Sequence, residues 1–308
     1  MIEKHFLNNQ AVSLFTIRDW IRWVASLFSE APLTYGHGTD NPWDEAVSLV
    51  LNALNAYDFP VEYIWDARLT EDEKSELIHL IEQRINAHIP VPYLTHQALF
   101  TDLSFYVDER VLIPRSPIGE LIEAQFEPWL ERERLTRILD LCCGSGCIAI
   151  SMAVYFDDPS LQIDAIDISE DALNVARMNV EKHEVGEQVT LIQSDLFTAI
   201  PAERYDLIVC NPPYVDQAEM AALPDEYRHE PELALASGND GLDFVHRLLN
   251  QAKAHLMPKG VLIVEVGASA PALIAAYPNL PFIWLEFERG GDGVFLLHAE
   301  DIPAGMRH

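Results

Sequence analysis

Asn211-Pro212-Pro213-Tyr214 sets a carboxamide, two imino acids and a phenol ring in four consecutive positions. Together these groups suit one difficult piece of chemistry. An amide or ring-attached amino nitrogen is a poor nucleophile, because its lone pair is delocalised into the neighbouring π system. Two acceptors gripping its two N–H groups hold it so that the lone pair can localise, and the Asn211 side-chain oxygen and the Pro212 carbonyl can be those acceptors. Fixed dipoles then stabilise the positive charge that develops on nitrogen. Pro213 has no N–H to compete with a substrate, and both prolines stiffen the segment. Tyr214 offers an aromatic face to a planar group. No strong base is needed, since the proton becomes acidic once nitrogen is alkylated, and no metal is called for. An Asn-Pro pair alone is a common turn. Here an apolar run, Asp206–Cys210, leads straight into it, which makes Asn211, Pro212, Pro213 and Tyr214 the candidate catalytic residues.

A second motif lies upstream, in Leu139-Asp140-Leu141-Cys142-Cys143-Gly144-Ser145-Gly146. Gly144 and Gly146 allow a sharp turn and the close approach of a ligand. The spacing Gly144-x-Gly146-x-x-Ala149 also fits a dinucleotide fingerprint, so the turn alone indicates a nucleotide-like cofactor without saying which. Asp167 follows Gly146 by 21 residues and ends the next apolar run. A carboxylate there can accept hydrogen bonds from two ribose hydroxyls. Asp195 ends another run, and with Leu196 beside it suits the amino edge and the face of adenine. Three acidic strand ends, Asp140, Asp167 and Asp195, disfavour a phosphate-bearing cofactor. They suit S-adenosylmethionine, which carries a positive sulfonium and ammonium and leaves as S-adenosylhomocysteine. The expected cofactor contacts are Asp140, Gly144, Gly146, Asp167, Asp195, Leu196 and Asn211. A hydride-transfer enzyme has no use for Asn-Pro-Pro-Tyr, whereas methylation of an amide nitrogen or of an exocyclic adenine or guanine nitrogen does.

The elements that position these residues follow from periodicity. Residues 1–90 read as a small helical domain, with Trp20, Trp23, Val24, Leu27 and Phe28 at helical spacing and Thr70 followed by Glu71-Asp72-Glu73 as a capped helix start. Residues 91–113 read as a β-hairpin linker, with Pro90 and Pro92 breaking the helical pattern and Asp102 near the turn. Residues 114–308 alternate strand and helix: strands at Arg137–Cys142, Leu161–Ile166, Gln188–Gln193, Tyr205–Cys210 and Gly260–Val266, helices at Gly146–Tyr155, Glu170–Glu181, Gly241–His255 and Pro271–Tyr277, and a long loop over 211–239. That order implies an α/β fold, a mostly parallel sheet with helices on both faces. Phe282–Phe287 and Gly293–Leu297, joined through a Gly-rich turn, add an antiparallel C-terminal strand.

Composition narrows the class. Forty-nine Asp and Glu stand against 20 Lys and Arg, a formal net charge of −29 in 308 residues. Such a field repels nucleic acid and attracts basic partners, so stable nucleic-acid binding is not expected; the acidity fits a basic protein partner and equally a general adaptation to salt or solubility. Cys142, Cys143, Cys147 and Cys210 lack zinc-finger spacing and read as reduced thiols near a ligand pocket. There is no basic-then-apolar leader and no long apolar run, so a cytoplasmic protein without a membrane span is expected.

Asp140-x-x-x-Gly144-x-Gly146, Asp167, Asp195 and Asn211-Pro-Pro-Tyr214 together resemble the class I methyltransferase (Rossmann-like) fold. The helical domain, the hairpin and Val111-Leu112-Ile113-Pro114-Arg115 resemble the HemK-type protein-glutamine methyltransferases over nearly the whole chain. Ile113-Pro114-Arg115-Ser116-Pro117-Ile118-Gly119-Glu120 is similar to the PrmB branch, which acts on ribosomal protein three of the large subunit, rather than to the release-factor enzymes, which tend to read Ile-Pro-Arg-Pro-Asp-Thr-Glu. The resemblance implies S-adenosylmethionine as cofactor, a protein glutamine as substrate, Asn211, Pro212 and Tyr214 as the groups that hold it, the helical domain as its docking module, and Arg115 near the site. It leaves release factors as the alternative substrate. Leu196 stands where release-factor enzymes often carry Trp.

Overall fold

The computed structural model describes residues 2–57, 59–132 and 135–303. These fall into two compact units, one made of 1–98, 107–109 and 224–229, the other of 99–106, 110–223 and 230–308.

The first unit is helical: α1 (Lys4–Ala11), α2 (Ile17–Glu30), α3 (Pro42–Ala53), α4 (Val61–Ile64), α5 (Glu71–Ala87) and α6 (Val91–Thr95). Local signals start the longer helices. Thr16 and Thr70 cap α2 and α5 in reciprocal capping boxes with Asp19 and Glu73, and Asn41 caps α3. The stripe that includes Trp20, Trp23, Val24 and Phe28 is buried against Leu49, Leu77 and Ile81, so it is core. The sequence pattern places a break at Pro90 and Pro92. Instead α6 begins there, because a proline in the first helical turn gives up an N–H that has no partner anyway. Arg84 is fully buried. Its guanidinium donates to Glu45 at 3.2 Å, to Glu226 at 3.1 Å and to the Thr34 carbonyl at 2.9 Å. Glu226 belongs to the 224–229 segment, which returns to this unit from far along the chain. Burial works to raise the Glu226 pKa, but donation from the Thr34 amide, His88 and Arg84 outweighs it and holds the carboxylate near 2.

From Leu99 the second unit holds most of a hairpin, β1 (Ala98–Phe100) and β2 (Leu103–Phe105). Its two turn residues, Thr101 and Asp102, both have positive φ, +48° and +59°, the mirror-image turn whose twist matches that of the strands. Then follow α7 (Ile118–Glu123), β3 (Arg137–Leu141), α8 (Cys147–Phe156), β4 (Gln162–Asp167), α9 (Glu170–Lys182), β5 (Val189–Gln193), β6 (Tyr205–Cys210), α10 (Gln217–Ala222), α11 (Asp243–His255), β7 (Leu256–Glu265), α12 (Ala270–Ala276), β8 (Ile283–Trp284) and β9 (Val294–His298). The sheet order is β5-β4-β3-β6-β7-β9-β8, parallel from β5 through β7, with β9 antiparallel to both of its neighbours. This is the Rossmann-like α/β sheet expected from the sequence. Alternate residues build two cores. Ile138, Ile163, Leu207 and Ile263 pack with α8 on one face; Leu139, Ile166, Ile208 and Leu262 pack with α11 on the other.

Three details differ from the sequence pattern. The loop after Cys210 contains α10 and two 3-10 turns, at Asp225–His229 and Glu232–Ala234. β7 starts at Leu256 rather than Gly260, directly after α11. β8 has only two residues, and the connection from Leu285 to Gly293 is longer than a tight turn. No described helix is long and apolar enough to cross a membrane.

Candidate functional site

Parallel strands that begin on one edge must end on the other, and their register decides which residues meet there. Leu141 lies opposite both Ile166 and Cys210, and Cys210 opposite Val264. One step further, Cys142, Asp167, Asn211 and Glu265 stand in a row at the carboxyl edge. The strand order reverses between β3 and β6, which is where α/β sheets open a crevice for a ligand. A cleft opens there, lined among others by Gly144, Asp167, Asp195, Leu196, Asn211 and Pro213. Four other residues singled out in the sequence, Asp140, Gly146, Pro212 and Tyr214, do not line it.

The Gly-rich turn explains part of that division. Gly144 has φ +52°, and a Cβ built on it meets nothing within 4 Å, so its backbone faces open space. Gly146 has φ +79° and packs so closely under α9 that a Cβ would stand 3.3 Å from the Cβ of Ala176. The first glycine leaves room for a ligand and the second lets two elements approach. Asp167 spans the turn: its Oδ2 accepts from the Gly144 amide at 3.0 Å and its Oδ1 from the Ser169 amide at 2.9 Å. Burial raises its pKa despite these donors. Asp140 sits behind the turn, wholly buried, with Oδ2 accepting from the Ala149 amide at 3.0 Å and Oδ1 without a partner among the described residues. Burial first, and the Asp167 charge after it, push Asp140 up to about 8, against one opposing backbone hydrogen bond.

This turn is a poor phosphate cradle. The amides of Cys143 and Gly146 are taken by the carbonyls of Ile166 and Cys143, and that of Gly144 by a carboxylate. A turn with three of its N–H groups spent and with Asp167 beside it disfavours an anion and favours a cation. The residues present therefore fit S-adenosylmethionine better than a dinucleotide.

Asn211 lines the cleft, and its side-chain amide has no hydrogen-bond partner among the described residues. Tyr214 is held on all sides. Its hydroxyl donates to Glu265 Oε1 at 2.7 Å, its carbonyl accepts from the Ser269 hydroxyl at 3.0 Å, and its ring lies over Gly267, where a Cβ would stand 2.7 Å from it. Burial, then the Glu265 charge, drives the phenol pKa far up, so it remains a donor. Glu265 accepts a second hydroxyl, from Ser116, at 2.5 Å. Arg115, also on the cleft wall, makes a two-pronged ion pair with Glu230 at 2.7 and 2.6 Å. Glu230 further accepts from the Ile113 amide at 3.0 Å.

On the far side, Arg247 donates to both oxygens of Asp195 at 2.7 and 2.6 Å in an exposed pair. Leu196 is buried at φ +51°, a conformation unusual for a leucine. The thiols of Cys142, Cys143 and Cys147 border the cleft. That of Cys142 is raised first by its hydrogen bond with Cys210 and then by burial, those of Cys143 and Cys147 first by burial, so none is a ready thiolate. Among the described residues no cluster of His, Cys, Asp and Glu is arranged to hold a metal. Sequence reasoning missed Glu265, Glu230, Arg247 and Ser269. The one signal for Glu265 was an acidic residue ending a fifth strand.

The chain is similar to known proteins. Residues 126–226 match the family model described as the methyltransferase small domain. The chain is 53% identical over 298 residues to a ribosomal protein uL3 glutamine methyltransferase of Neisseria gonorrhoeae, spanning 96% of this chain and 98% of that one. It is 53% identical over 302 residues to the protein of the same name from Neisseria meningitidis, spanning 97% and 98%. Among solved structures it is similar to the hMettl16 catalytic domain in complex with MAT2A 3'UTR hairpin 1, at 16% identity and TM-score 0.49 over 84% of this chain and 95% of that one.

Proposed function

Because the chain belongs to the family of ribosomal protein uL3 glutamine methyltransferases, we propose that it transfers a methyl group from S-adenosylmethionine to the side-chain amide nitrogen of a glutamine in ribosomal protein three of the large subunit. The observation that carries this reading is the Asn211 amide, without a hydrogen-bond partner among the described residues, at the end of β6, in the cleft that Gly144 and Asp167 also line. When bound, S-adenosylmethionine supplies an electrophilic methyl group on a positive sulfur. The residues of the chain do the rest. Gly144 gives the cofactor close access, Asp167 and Asp195 offer carboxylates to its hydroxyl and amino groups, and Leu196 borders the same wall. Asn211 through its side-chain oxygen accepts one N–H bond of the glutamine amide, and the Pro212 carbonyl, behind the cleft lining in the same turn, is the acceptor for the other once the substrate is seated, so that the lone pair is drawn out of conjugation. The same acceptors face the charge that grows on nitrogen. Pro213 keeps the turn rigid, and Tyr214 orients it. The helical unit docks the protein that carries the glutamine. Ribosomal proteins are basic, which suits a chain of net charge −29.

Labelled methyl transfer to this ribosomal protein, purified from cells lacking the enzyme, tests the reading, with release factors and ribosomal RNA in parallel and the labelled residue mapped by mass spectrometry. Label on one of its glutamines is the expected result. Label on release factors alone would keep the chemistry and change the substrate, and label on RNA alone would overturn the protein reading. Asn211→Ala should lower turnover by roughly 10²-fold or more while cofactor affinity changes little. Near-normal turnover in that variant would remove the amide clamp from the mechanism.

A further inference from the structure

We propose that Glu265 is a positioning residue for this transfer: it locks the Asn211–Tyr214 turn to the Ile113–Ser116 segment and so fixes the acceptors that hold the substrate amide. The inference rests on the function proposed above and assigns a task to a residue outside the substrate's reach.

Glu265 ends β7 in the register position beside Asn211. It is 6% exposed, and each carboxylate oxygen is used by a different segment. Oε1 takes the Tyr214 hydroxyl at 2.7 Å and Oε2 takes the Ser116 hydroxyl at 2.5 Å. Ser116 and Arg115 line one wall of the cleft, and Asn211 and Pro213 line another. One carboxylate therefore joins both walls.

The turn passes this constraint on. Two prolines separate Asn211 from Tyr214, so few torsions are free between them. Tyr214 itself is fixed at its hydroxyl, its ring and its carbonyl. A residue pinned in this way leaves the Asn211 side chain and the Pro212 carbonyl little freedom to change their separation. Stability alone is a weak reason for such a group, since a buried carboxylate gains little over an apolar residue of the same volume. What it provides is placement, and misplacement of a reacting group by about 1 Å can cost on the order of 10² in rate.

The test is a kinetic double-mutant cycle on the full-length enzyme. Turnover and KM for the ribosomal protein, and calorimetric affinity for S-adenosylhomocysteine, are measured for wild type, Ser116→Ala, Tyr214→Phe, Glu265→Gln and the pairs. Each single change should lower kcat roughly ten-fold while product affinity stays within about two-fold. Ser116→Ala combined with Glu265→Gln should lose less than the product of the two single losses, because the amide keeps one acceptor and cannot take both hydroxyls as the carboxylate does. If Glu265→Gln does not fold, the Ser116→Ala/Tyr214→Phe pair carries the test, with a combined loss smaller than the product of the two single losses. Losses that multiply, unchanged kcat in the singles, or product affinity falling in step with kcat would each overturn the proposal. Wild-type enzyme that methylates no glutamine would remove the premise and the inference with it, an outcome distinct from additive variants of an active enzyme.

Discussion

Asp140 is a carboxyl group that the fold keeps protonated. Burial raises it from its ordinary value of 3.8 to about 8, so between those values the native state binds a proton that the unfolded chain has released. Stability from this group is fully present below about pH 4 and is lost as pH rises towards 8. Asp140→Asn should therefore match wild type near pH 4 and exceed it at pH 8, by on the order of a few kcal/mol. Thermal melts of both proteins across that range check it, and parallel curves would show that Asp140 ionises without cost. Gly144, Asp167, Asp195, Leu196, Asn211 and Pro213 were legible in the sequence because each sits at a strand end or in a turn with a chemical reason to be there. Glu265 was not. Its place beside Asn211 is set by the register of β6 against β7, and 54 residues of chain separate the two. The sequence also could not tell which of two glycines faces a ligand. Open space at Gly144 and Ala176 under Gly146 decide that, and both are tertiary facts.

At the scale of elements, one side chain in α9 ties three parts of the second unit together. Asn179, fully buried, accepts from the Tyr106 amide at 2.7 Å and donates to the Tyr106 carbonyl at 3.0 Å and the Ser145 carbonyl at 2.9 Å. It fastens the end of the hairpin and the Gly-rich turn to the same helix. Asn179→Ala should cost on the order of 2 to 3 kcal/mol, since one buried and two part-buried backbone groups lose this partner. It should also weaken cofactor binding by loosening the turn. Denaturant unfolding and calorimetry read these two effects separately, and a variant as stable as wild type would show that water replaces the amide. The order of strands and helices was readable from periodicity, with Thr70 marking a helix start that local chemistry decides. The short elements escaped: α6 hides behind prolines, and α10 and its neighbouring 3-10 turns lie in a stretch whose apolar residues have no period because little of it is buried.

At the scale of the molecule, charge governs encounter. A net charge of −29 should steer a basic protein inward, so kcat/KM for the ribosomal protein should fall by roughly ten-fold or more as salt is raised from low to physiological strength and beyond. A short uncharged glutamine peptide should show almost no such dependence. Equal salt slopes for both substrates would mean the acidity serves something other than capture. The chain also passes between its two units five times, at residues 98/99, 106/107, 109/110, 223/224 and 229/230. Glu226, carried back by the fourth passage, answers the buried charge of Arg84. Such a chain does not behave as two modules on a string. A gene fragment starting near residue 91 would encode a loop whose anchor is missing, and one stopping there would leave an arginine buried beside Glu45 without its second carboxylate. An exchange of the helical unit that keeps Arg84 paired must carry residues 224–229 along with it, so a single crossover is not enough.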